Sequence, residues 1–121
     1  MTQEERSLLM TDLCGRIPYG VKVHIEGGTD GELASVDWWE EVGLKDGTTT
    51  LYPLEDVKPY LRPMSDMTDE EIDKMWEVYE NNPAAEGSSK ITDLLNKWGL
   101  DHHHLIEKGL ALEAPDGMYE L

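Results

Sequence analysis

Apolar residues in this chain recur at helical spacing, then at every second position, then at helical spacing again. This double change of period constrains the fold more than any other feature. A helix buries a stripe at period 3.6, whereas a half-buried strand buries one face at period 2. The first stretch, "TQEERSLLMTDLCGR", predicts a helix. Thr2 and Glu5 have capping-box spacing, Leu9, Met10 and Leu13 form an apolar side, and Gly15 marks a stop. The period then shortens. Val21, Val23 and Ile25 alternate with Lys22, His24 and Glu26. After the turn "GGTDG", Ala34, Val36, Trp38, Val42 and Leu44 share a face. Glu40 falls on that same face, so a bulge or strand break is expected near residues 39–41. "KDGT" is a hairpin signal and "TTTLY" a further strand. "PLEDVKPYLRPM" is interrupted by Pro53, Pro59 and Pro63, so Leu54, Val57 and Leu61 read as tight turns rather than a helix.

The helical period returns in "MTDEEIDKMWEVYENNP". Thr68 is the expected N-cap, Glu71 completes a capping box, and Met67 with Ile72 forms a hydrophobic staple. Ile72, Met75, Trp76 and Tyr79 line one side, which is expected to be the buried face. "AAEGSS" reads as a small-residue linker. A helix is expected at residues 89–98, with Ile91, Leu94, Leu95 and Trp98 on one face. A shorter one is expected at 102–108, capped by Asp101 and stopped by Gly109, before an extended tail, "EAPDGMYEL". The fold expectation is therefore α+β in a single domain, residues 1–121. A helix-plus-meander lobe covers 1–63, its strands lying at about residues 18–52, and an acidic helical lobe covers 64–121. The small antiparallel sheet, which an incomplete SH3-like barrel would also satisfy, packs with an N-terminal helix and two to three C-terminal helices. The expected core comprises Val21, Val23, Ile25, Val36, Trp38, Ile72, Trp76, Leu94, Leu95 and Trp98.

At 121 residues the chain buries about two-thirds of its unfolded surface and needs no metal or disulfide to fold. One cysteine, Cys14, rules out an intrachain disulfide and suits a reducing cytoplasm. The early acidic residues and the lack of an apolar run argue against a signal peptide or a membrane helix. The net charge is −16. Residues 1–63 hold 12 acids and 6 bases, and residues 64–121 hold 14 acids and 4 bases, so the excess lies in the second half. Such a field repels nucleic acid and anionic membranes and is compatible with a basic protein partner. The plainer reading of the charge is a solvated surface that keeps the chain soluble.

No residue pattern announces catalysis. His102, His103 and His104 on a helix would project about 100° apart and diverge, so no shared metal site is expected and no cofactor is implied; the one pairing this geometry leaves open is one of them with an outside ligand such as His24 or an acid. A partly packed His102 would more simply serve structure, or respond to pH. Cys14 lies near a helix C-terminus, which disfavours a thiolate. "GGTDG" lacks the lysine and the context of a phosphate loop. Trp38 and Trp39, as strand neighbours, should face opposite ways, leaving Trp39 either covered by a helix or exposed as an anchor for a partner.

Three blocks, "DLCGRIPYGVKVHIEG" (12–27), "VKPYLRPMSDMTDEE" (57–71) and "LIEKGLALEAPDGMY" (105–119), resemble a family of small uncharacterised proteins common in gut Bacteroides genomes, often in prophage-like or other mobile regions. The resemblance implies a bacterial cytoplasm and a phage or mobile-element accessory role. It supplies no functional residue. The functional expectation is a non-enzymatic, acidic protein-interaction module whose partner the sequence does not identify, a basic protein being compatible with its charge. Its candidate surface comprises Trp39, Asp69, Glu70, Asp73, Glu77 and Glu80. The alternative is a nucleic-acid mimic that blocks a host DNA-binding protein or nuclease through the same row of acids.

Overall fold

Thr2 opens helix α1 (Gln3–Arg16), with both halves of the Thr2–Glu5 capping box formed. The computed structural model describes residues 1–47 and 49–119. Gly15 does not stop α1. The helix runs to Arg16 and tightens into a 3₁₀ turn at Ile17–Tyr19, and the chain reverses at Gly20, whose φ of 80° suits glycine.

Strands β1 (Lys22–Ile25), β2 (Gly31–Val36), β3 (Glu41–Leu44) and β4 (Leu51–Pro53) follow as an antiparallel meander. The "KDGT" hairpin includes Thr48, which lies outside the described residues. The register slips between Leu33 and Ser35, so Leu33 rather than Ala34 reaches the core. Gly43 accommodates this slip, since a Cβ there would meet the Ser35 hydroxyl at 2.6 Å.

The Pro-rich segment corrects the expectation of turns alone. After a 3₁₀ turn at Leu54–Asp56, Val57–Leu61 forms β5, antiparallel to β1, with Pro59 opposite Val23. Val57, Pro59 and Leu61 alternate inward, a period-two pattern hidden by the prolines. The tail adds β6 (Leu112–Glu113) parallel to β5, giving the open sheet order β4-β3-β2-β1-β5-β6. The fold is thus α+β with a mostly antiparallel open sheet, and no barrel closure is seen among the described residues.

Two C-terminal helices follow, α2 (Asp69–Glu80) and α3 (Ala84–Lys97). The supposed linker "AAEGSS" is the start of α3. Pro83 precedes its first turn, and Gly87 is buried close to Tyr79 and Asn82 of the preceding helix and its end. The third expected helix, 102–108, does not form. These residues make successive turns around Asp101, whose carboxylate accepts from the Leu105 and Ile106 amides at 2.8 and 3.0 Å. Asp101 thus organises turns rather than capping a helix. The core joins Leu9 and Leu13 of α1 to Val21, Val23, Ile25, Leu33, Val42, Val57 and Leu61 of the sheet, and Leu105, Leu110 and Ala111 close it.

Candidate interaction surface

Helix α2 carries the stripe that the sequence marks for burial, and the structure turns it outward. Ile72, Trp76 and Tyr79 are 39%, 59% and 56% exposed. The reason is a single buried ion pair. Glu71, at the third position of α2, is buried and takes both ends of the Arg62 guanidinium, Nη1 and Nη2, each at 2.9 Å. Arg62 also donates to the Trp98 carbonyl at 3.1 Å and the Asp66 carbonyl at 3.0 Å. At about 100° per residue, the Glu71 side that faces the protein lies about a quarter-turn from Ile72 and Tyr79. The polar anchor therefore sets the helix rotation, and the apolar stripe is left beside it. Burial works to raise the Glu71 pKa, but Arg62 and the Thr68 cap outweigh it and hold the carboxyl below its ordinary range.

Ile72, Met75, Trp76 and Tyr79 of α2, with Ile91 of α3, line an open groove of about 430 Å³. The Trp76 and Tyr79 rings meet edge to face at 5.8 Å. Exposed acids flank the stripe. Asp69, Asp73 and Glu80 lie roughly 60–100° round the helix from Ile72, and Glu77 and Glu70 lie beyond them. The only base on α2, Lys74, sits 3.6 Å from Glu77. All five acids singled out from the sequence thus share the outer side of one helix. What sequence reasoning missed is that the aromatic stripe belongs to the same exposed surface.

Trp39 stands elsewhere, in the turn between β2 and β3, whereas α2 is tied to Arg62 beyond the end of β5. Trp38, expected in the core, is 84% exposed and Trp39 71%. The alternation fails because the strand ends at Val36. Asp37 then organises a tight turn, its carboxylate accepting from the Trp39 and Glu41 amides at 2.9 and 3.0 Å. Glu40 adopts φ 61° and is clamped by Arg6 of α1, which also pairs with Glu55. The strand break was expected at this point, but its effect on Trp38 was not. The two indole rings lie 5.1 Å apart.

The histidines correct the geometric premise used for them. Without a helix, His102 and His103 do not diverge, their tilted rings lying 4.1 Å apart, whereas His104 turns away to line a separate pocket with Pro63, Met64 and Ser65. Asp12, His102 and His103 offer ligand atoms all within 4.8 Å of one another. The Asp12 carboxylate, however, is buried and already held by Arg16 through Nε at 2.8 Å and Nη2 at 3.0 Å, while His103 Nδ1 lies 2.7 Å from it. A divalent ion would have to share the carboxylate with Arg16 and displace the His103 contact. Burial, then the charges of His103 and Arg16, push the His102 pKa down to about 4. His102 Nε2 lies 2.8 Å from Asn96 Oδ1.

A second surface cluster joins His24, Asp30 and Tyr60. Asp30 accepts from the Tyr60 hydroxyl at 2.7 Å and contacts His24 Nδ1 at 2.7 Å. These contacts lower the Asp30 pKa and raise that of Tyr60, the opposite of an activated phenolic nucleophile. Cys14 is exposed. No helix among the described residues is long and apolar enough to cross a membrane. Comparison of the chain with protein-family models, curated proteins and solved structures finds no match.

Proposed function

We propose that this chain is a non-enzymatic protein-interaction module that binds a basic protein through the outer face of α2. One observation carries the reading: the aromatic stripe of an otherwise well-anchored amphipathic helix faces solvent beside a row of carboxylates. Apolar surface left exposed in this way is costly to keep wet and marks a contact site. Tryptophan and tyrosine are the residues that contribute most to such contacts. The acids select and steer a positive partner. The resemblance to proteins of Bacteroides mobile regions supports an accessory role, with the partner in a bacterial host or in the element itself.

The test is affinity capture from a Bacteroides lysate with the wild-type chain and a Trp76→Asp variant, the retained proteins being identified by mass spectrometry. The reading expects one stoichiometric basic protein retained by the wild type and lost by the variant. Identical recovery by both would refute it. A partner that ignores Trp76→Asp but is displaced by duplex DNA would instead favour the nucleic-acid mimic.

A further inference from the structure

We infer that the occupant of the α2–α3 groove is an amphipathic helix with lysine or arginine along one flank. This rests on the interaction reading above and narrows its partner to a shape and a charge. The groove is walled by Ile72, Met75, Trp76 and Tyr79 of one helix and Ile91 of the next. Side chains of two helices form that wall, and their backbone hydrogen bonds are already spent within the helices. A strand docking here would bury its own amides and carbonyls without partners, whereas a helix arrives with them satisfied. The anchors on α2 recur at i, i+3, i+4 and i+7, the spacing whose ridges mesh with those of another helix.

Charge decides the flank. Asp69, Asp73 and Glu80 border the stripe on its outer side, and α2 has no unpaired base to balance them. A second copy of this chain is the poorer occupant. Each copy carries −16, and a two-fold contact through α2 would bring two acid rows toward one another.

The probe is a synthetic helical peptide long enough to run along α2, with leucines at i, i+3, i+4 and i+7 and lysines on one flank. Its twin carries glutamates at the lysine positions. Titration calorimetry with the full chain should show binding of the lysine peptide only. Affinity should fall about tenfold or more in Trp76→Ala, where an exposed aromatic anchor is lost. It should also fall in Asp73→Asn/Glu80→Gln and with added salt, because exposed charges are screened. Circular dichroism of each variant establishes that it remains folded. Equal binding of the glutamate twin, no binding of the lysine peptide, or sedimentation showing a dimer abolished by Trp76→Ala would each overturn the inference. If lysate capture still depends on Trp76 while the lysine peptide fails, the interaction reading stands and the helical occupant falls.

Discussion

At the residue scale, two buried polar groups make measurable demands. Arg62 and Glu71 are both buried and joined through two hydrogen bonds. Glu71→Ala strands the guanidinium and should cost about 3 kcal/mol in urea melts, the low end for a broken buried pair, because Asp66 and two carbonyls still hold Arg62. Arg62→Met/Glu71→Leu should recover most of that loss, since it removes both charges from the interior. His102 supplies a pH signature. Its pKa is lowered from 6.5 to about 4 in the folded chain, so between these values the unfolded chain binds a proton that the native one does not. Stability from this group is complete above pH 6.5 and declines as the pH falls toward about 4. Thermal melts across that window should show a shallower decline for His102→Gln than for wild type; parallel curves would mean that the imidazole is not desolvated as described.

At the scale of elements, the sequence reveals periods and caps better than it reveals directions. Both capping boxes form where Thr2–Glu5 and Thr68–Glu71 place them. The α2 stripe is legible as a stripe, but periodicity says only that an apolar side exists, not what it faces. Its orientation depends on Arg62, nine residues away, and no local pattern signals that bond. The five acids could therefore be named from the sequence, while the groove beside them could not. Prolines concealed β5, because Pro59 weakens a strand assignment although the Val57–Leu61 alternation is intact. The helix expected at 102–108 failed because Asp101 caps a set of turns and His104 takes φ 58°, outside the helical region. The outward stripe also changes a stability expectation. A core tryptophan replaced by alanine costs about 3–5 kcal/mol. Trp76 is solvent-exposed, so Trp76→Ala should cost under about 1 kcal/mol in urea melts. A larger loss would place the ring in the core after all.

At the scale of the whole molecule, sequence-distant parts meet at Tyr119. Its hydroxyl donates to the Tyr60 carbonyl at 2.6 Å and accepts from the Lys22 amide at 2.9 Å, bridging β5 and β1. Burial pushes its pKa up to about 12, so the phenol stays protonated and can make both contacts. Tyr119→Phe should cost about 1–2 kcal/mol, the sum expected for two lost hydrogen bonds. Hydrogen exchange should show the Lys22 amide opening faster in that variant; unchanged protection would mean the tail is not what holds it. The tryptophans have an optical consequence at this same scale. Trp38, Trp39 and Trp76 already stand in water in the native state. Their emission should therefore sit close to that of the denatured chain, so any shift a fluorimeter registers on melting should come from the half-buried Trp98. The Trp38–Trp39 contact offers a cleaner reporter. Two indoles held 5.1 Å apart by the Asp37 turn couple their transitions, giving an exciton band in circular dichroism that disappears when that turn opens.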